Sequence, residues 1–175
     1  MLEILIVVIF LAAAIFYHHN LTYTTKHGAP FVGMELDVVE RVMNMAKIKT
    51  GEVFYELGSG DGRLVISAAL RGAQSYGVEI DRLRVLYSRF WLYLLRLHKN
   101  SQIIHDDIFK VNLSNADIVC LYLLPETNEK IMGKLKRELK PGTRVISVAF
   151  HFPNWEPISV DTRGTIYGPI YLYHI

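Results

Sequence analysis

Val-Phe-Tyr-Glu-Leu-Gly-Ser-Gly-Asp-Gly, residues 53–62, is an apolar strand that runs into an acid and then into alternate glycines at 58, 60 and 62. A helical pattern, Arg-Leu-Val-Ile-Ser-Ala-Ala-Leu, follows at once. Glycine has no Cβ, so such a turn can take positive φ and let a ligand approach the backbone. The helix N-terminus behind it presents unpaired N–H groups to a carboxylate or phosphate. A nucleotide-like ligand is expected at this strand–turn–helix junction. A dinucleotide fingerprint needs Gly-x-Gly-x-x-Gly, but the position of its third glycine is Arg63. A Walker loop ends in Gly-Lys-Ser/Thr, which the chain lacks.

What remains, Glu-x-Gly-x-Gly-x-Gly over residues 56–62, resembles the first motif of class I S-adenosylmethionine-dependent methyltransferases. The resemblance implies S-adenosyl-L-methionine as cofactor, held by Glu56, Gly58, Ser59, Gly60 and Gly62. Residues 74–80 read as a second strand ending at Glu79 and Ile80, and an acid there accepts hydrogen bonds from ribose hydroxyls. Residues 101–105 read as a third strand that runs into Asp106 and Asp107. In the methyltransferase pattern an acid at that point receives the adenine amino group, and Ile108 covers the ring. Singly, these acids read equally well as an exposed strand end and a turn. Three such features in register after three successive strands favour the cofactor.

With 175 residues the chain is sized for one domain with a single buried core. A net charge of +2 is too small to argue for nucleic acid, and no nucleic-acid partner is expected. The lone Cys120 lies in an apolar run, and seven histidines show no ligand spacing, so no metal is assigned. Hydrophobic residues make up 51% of the chain, partly because residues 2–17 are apolar apart from Glu3. As a helix this run is roughly 24 Å long, against a hydrocarbon core of about 30 Å. We expect a membrane anchor over 1–19, a polar tether over 20–29 and the catalytic domain over 30–175. A cleaved signal peptide and a core helix are the rival readings of the first segment. Lys26 and further basic residues follow the apolar run, so positive-inside logic predicts a single-pass membrane protein with a cytoplasmic catalytic domain.

Downstream the elements alternate. Helical spacing is expected over 34–48, 62–71, 81–98 and 125–139, and strands over 52–57, 116–122 and 143–150 in addition to those above. Two further strands, 156–161 and 169–174, would form a closing pair. Strand–helix alternation implies a Rossmann-like α/β sheet, mostly parallel, with an antiparallel closing strand and ligands at the carboxyl ends of the strands. No inserted substrate domain is visible, and a bare core suits a macromolecular substrate that covers the site itself.

A narrower resemblance rests on Pro-Phe-Val at 30–32, Glu-Leu-Gly-Ser-Gly-Asp-Gly-Arg at 56–63 and Val-Glu-Ile-Asp at 78–81. It continues through Leu-Tyr-Leu-Leu-Pro-Glu at 121–126, Leu-Lys-Pro-Gly at 139–142 and Trp-Glu-Pro at 155–157. Together these look like the protein-lysine methyltransferases that modify the ATP synthase c subunit and the adenine nucleotide translocase, and their archaeal counterparts. The resemblance implies a lysine side chain of a protein as acceptor, with membrane proteins among the candidates. Tyr122 then lines the acceptor channel, Glu126 attracts or deprotonates the amine, and Phe31 closes over the cofactor. Rival functions are methylation of a small molecule, a quinone or lipid, or RNA, and a non-catalytic cofactor-binding scaffold.

Overall fold

Strands β1 (Val53–Leu57), β2 (Gln74–Glu79), β3 (Ser101–His105), β4 (Ile118–Leu121), β5 (Arg144–Val148), β6 (Ser159–Asp161) and β7 (Ile170–His174) form one sheet in the order β3-β2-β1-β4-β5-β7-β6. The first five run parallel, whereas β7 inserts antiparallel between β5 and β6. The computed structural model describes residues 31–163 and 167–175, with isolated helical positions at 4, 6, 7, 10, 11 and 14. Two compact units result, Met1–Val32 and Gly33–Ile175, and the whole sheet belongs to the second.

Helices α1 (Leu36–Ala46), α2 (Arg63–Leu70), α3 (Arg82–Leu94) and α4 (Pro125–Glu138) complete the second unit. Strand alternation sorts the core into two faces, since successive side chains point to opposite sides. Phe54, Ile118, Cys120 and Ile146 pack with Val38, Val42 and Leu64 of α1 and α2. Tyr55, Leu57, Val119, Leu121 and Val145 pack with Ile131 and Leu135 of α4. Val85 and Leu92 of α3 join Val65 and Ile103 in a smaller cluster.

The helices are shorter than their apolar spacing predicts, for local reasons. Lys47 adopts a left-handed φ of 47° and ends α1. Arg96, at φ 58°, closes the turn that follows α3. Likewise β5 stops at Val148 because Ala149 turns to φ 69°. Residues 106–117 connect β3 to β4 without a helix.

The expected membrane span is corrected. Among the described residues no helix is long and apolar enough to cross a membrane. As a matter of length, a helix made of the apolar run would reach only roughly 24 Å, short of a hydrocarbon core of about 30 Å. The single-pass topology and the orientation built on it fall with the anchor. Most of residues 1–19 and all of the 20–29 tether lie outside the described residues.

Candidate functional site

The turn after β1 is tied to the tip of β2 by its own backbone. Gly58 N and Ser59 N both donate to Val78 O, at 2.9 and 3.0 Å. Gly58, Gly60 and Gly62 take φ of 78°, 53° and 79°, which a side chain would resist. Gly62 is also the N-cap of α2, and a Cβ there would stand 3.0 Å from Ser88 Cβ on α3. Ser88 Oγ lies 2.9 Å from Gly60 O, so α3 braces the turn from behind.

Glu79 sits at the end of β2, 5% exposed. Its Oε2 accepts from Gly60 N at 2.8 Å and its Oε1 from Asp81 N at 2.9 Å. A carboxylate offers about four acceptor positions, and these bonds use two of them. Glu79 therefore orders the glycine turn with acceptor capacity to spare. Asp81 in turn caps α3, accepting from Leu83 N and Arg84 N.

Glu56 lies near the end of β1, in register with Gly77 on one side and Cys120 on the other. Its side chain is buried, and Oε2 has no hydrogen-bond partner. Burial, with the Asp61 charge adding to it, pushes its carboxyl well above the usual range. Ser59 Oγ, on the same turn, is also buried without a partner. Two unsatisfied polar atoms at one glycine turn are costly in an apoprotein and mark a place for a polar, cation-bearing ligand.

The third acidic station is arranged differently. Asp106 is exposed at the tip of β3, where its N–H donates to Glu79 O at 3.2 Å. Asp106 Oδ1 accepts from Asp107 N at 2.7 Å, and Asp107 Oδ1 accepts from Phe109 N at 2.9 Å. Both carboxylates thus shape a turn, and Ile108 packs on the α4 side of the core. Ile80 is 42% exposed beside Glu79. Glu79, Ile80 and Asp106 are brought together with the glycine turn.

Tyr122 lies one residue beyond β4, half-buried against the α1 side of the core. Tyr167 faces its ring edge-on, with centroids 6.3 Å apart and planes at 75°. Burial, then the neighbouring Tyr167, raises the Tyr122 hydroxyl above its ordinary 10.0. Tyr167 also donates to Gly33 O at 3.0 Å. Glu126 is exposed in the first turn of α4. Phe31 belongs to the Met1–Val32 unit.

Several residues escaped the sequence reading. A Cβ on Gly77 would fall 2.6 Å from Ser59 Oγ and 2.8 Å from Ile103 Cδ1, so the turn rests on a bare strand position. Its signal was a glycine in the interior of a strand, Gln-Ser-Tyr-Gly-Val-Glu. Arg63 pairs with Asp61 and donates to Met34 O, fastening the residues before α1 to the start of α2. Tyr167, outside every pattern of spacing, had no such signal.

Residues 56–159 match the model of the ANTKMT methyltransferase domain. The chain is 36% identical over 156 residues to a protein-lysine N-methyltransferase of Saccharolobus islandicus, covering 83% of this chain and 93% of that one. It is 36% identical over 135 residues to the ATP synthase c-subunit lysine N-methyltransferase of Xenopus laevis, where the match spans 77% of this chain and 59% of the relative's length. Among solved structures, a Salinibacter ruber RNA methyltransferase in complex with S-adenosyl-L-homocysteine superposes with a TM-score of 0.78 at 34% identity, covering 82% of this chain and 94% of that one.

Proposed function

This chain belongs to the ANTKMT methyltransferase domain family and uses S-adenosyl-L-methionine, and on that premise we propose that it is a protein-lysine N-methyltransferase. The observation that carries the acceptor class is the likeness to the archaeal protein-lysine enzyme over nearly all of that enzyme's length. The catalytic domain is taken as residues 30–175.

The residues of the glycine turn fit the cofactor. Gly58, Ser59, Gly60 and Gly62 present backbone to it, and the unsatisfied Glu56 and Ser59 oxygens suit its cationic aminoacyl end. Glu79 offers its remaining acceptor positions to the ribose, and Ile80 and Asp106, beside it, flank the base. When bound, the cofactor supplies an electrophilic methyl group on a sulfonium.

The chain itself must align and desolvate the amine. A lysine has an ordinary pKa of about 10.4 and must be neutral to attack. Tyr122 and Tyr167 provide an aromatic wall at the carboxyl end of the sheet, where loss of water favours the neutral amine. Glu126, exposed at the start of α4, draws the ammonium in and accepts its proton. Holding the amine in line accounts for most of the acceleration, because displacement at a methyl carbon needs little acid–base help.

An RNA acceptor is the second reading, favoured by the Salinibacter ruber neighbour. The segment after β4 is Tyr-Leu-Leu-Pro, residues 122–125, rather than the Asn/Asp-Pro-Pro-Tyr/Phe that suits an exocyclic amine. The test is to incubate the purified chain with methyl-labelled cofactor, a membrane-protein extract and total RNA. Label in trypsin-resistant lysines is the expected outcome. Label confined to RNA or to lipid would transfer the assignment to that acceptor, and no label in any fraction would leave a binding scaffold.

A further inference from the structure

Helix α3 is amphipathic twice over. Val85, Ser88 and Leu92 are buried toward the sheet. The opposite face carries Leu83, Leu86, Tyr87, Phe90, Tyr93 and Leu94, exposed by 38 to 71%. Their spacing of three and four residues makes one continuous stripe over the full length of the helix. Trp91 flanks it, with its ring 5.7 Å from Phe90 and 6.2 Å from Tyr87. A contiguous apolar stripe of this kind marks a contact site rather than scattered surface.

Charge selects the occupant. Between residues 82 and 105 the chain has five Arg or Lys and no Asp or Glu. Arg84 is buried beside Asp81, but Arg82, Arg89, Arg96 and Lys99 are exposed along the stripe and past its end. Arg89 donates to Ile103 O, which sets its guanidinium on the β3 side of the helix. There, a depression of about 860 Å³ opens between the stripe and the amino ends of β2 and β3, bordered by Phe90, Tyr93, Arg89, His98 and Lys99. A second copy of the chain would set cation against cation on this face, with no acid to answer them. Leucine and aromatic side chains beside a cationic margin are the chemistry of a helix lying in a bilayer interface, where anionic headgroups meet the cations.

We propose that α3 rests on an anionic lipid surface, with its leucine and aromatic stripe in the acyl boundary and Arg82, Arg89, Arg96 and Lys99 on lipid phosphates. Such contact needs no spanning helix. It is also independent of which acceptor is methylated. The stripe begins at Leu83, four residues after Glu79, so the contact leaves the glycine turn near the bilayer plane.

Trp91 reports on this face directly. The chain has two tryptophans, so full-length Trp155→Phe leaves Trp91 alone. With vesicles of phosphatidylglycerol and phosphatidylcholine carrying brominated acyl chains, Trp91 emission should shift to the blue and fall by about half. Replacing Arg82, Arg96 and Lys99 together by Gln should weaken the binding that this emission reports by about a hundredfold, near fivefold for each cation. Should Trp155→Phe not fold, the difference between wild type and Trp91→Phe gives the same readout. Sedimentation with the vesicles while Trp91 stays unquenched would place the contact elsewhere and overturn the proposal. Equal quenching by pure phosphatidylcholine would remove its anionic basis. A blue shift that needs no vesicles and grows with protein concentration would give the face to a second copy.

Discussion

Glu56 is a carboxyl group held where water does not reach and no donor answers one of its oxygens. Because burial raises its pKa above the ordinary 4.5, the native chain keeps a proton that the unfolded chain has lost. Its contribution to stability is complete below about pH 4.5 and declines as the pH climbs toward the folded value. Glu56→Gln should therefore melt higher than wild type at pH 8 without cofactor, with the two curves meeting near pH 4. On the proposed cofactor site, the ligand's cation would draw that proton off and face a carboxylate that Gln cannot form, so the variant's affinity should fall about tenfold or more, since a hydrogen bond to a charged group is worth roughly 1.5–3 kcal/mol. Scanning calorimetry across pH and isothermal titration separate the two effects. A lower melting temperature at pH 8 would mean that this carboxylate is satisfied in the native state. Gly77 makes a complementary case on the neighbouring strand. Gly77→Ala must push Ser59 or Ile103 aside, at a cost of about 1–3 kcal/mol by the measure of overpacked cores. It should lower both the denaturation midpoint and cofactor affinity, because Ser59 belongs to the turn. A variant that unfolds like wild type would show that Ser59 can yield without loss.

At the scale of elements, the closing strands depend on one charge cluster. Asp161 at the end of β6 accepts from Arg41 of α1 at 3.0 Å and from Arg163 at 2.6 Å. These two guanidiniums hold its carboxyl far below the ordinary 3.8. A depressed folded pKa means that this stabilisation is present above about pH 3.8 and is lost as the pH falls toward the folded value. Asp161→Asn should unfold at a lower temperature than wild type at pH 7, and the gap should narrow in acid. A gap that persists unchanged at pH 2 would assign the loss to packing instead. This link between α1 and β6 joins residues 120 positions apart, and nothing in either segment announced it. Strands β1, β4 and β7 were legible because each is a short apolar run that follows an acid or a proline. The helices were legible from their apolar spacing, and Lys140-Pro141-Gly142 marked the end of α4. Their ends were not, since left-handed Lys47, Arg96 and Ala149 stop elements at residues with no intrinsic preference for that conformation. Within the site, the glycines and Glu79 were readable from type and spacing. The orphaned oxygens of Glu56 and Ser59, the turn-capping use of Asp107 and the Tyr122–Tyr167 pair exist only once the sheet has formed. Hydropathy at the N-terminus misled for a related reason: an apolar run reports a preference for apolar surroundings and says little about which surroundings.

For the molecule as a whole, the site is inseparable from the sheet. The glycine turn leaves β1, is tied to β2 through Val78 O and Glu79, and is braced from α3 by Ser88. Tyr122 follows β4, and the Asp106 N–H reaches back to β2. A ligand at these strand tips would contact segments that are adjacent only in the folded Gly33–Ile175 unit, so binding must be linked to global unfolding. S-adenosyl-L-homocysteine at a hundred times its Kd should add about 2.7 kcal/mol to stability. For a unit of this size that raises the melting temperature by roughly 10 °C. Gly62→Val places a branched side chain at positive φ against Ser88, so it should lower the melting temperature and abolish the ligand-induced shift. Asp161→Asn, far along the sheet, should melt early yet keep the full shift. That contrast separates a damaged site from a merely weakened fold. If both variants lost the shift together, the glycine turn would have no special part in binding, and the ligand would have to be sought on another surface.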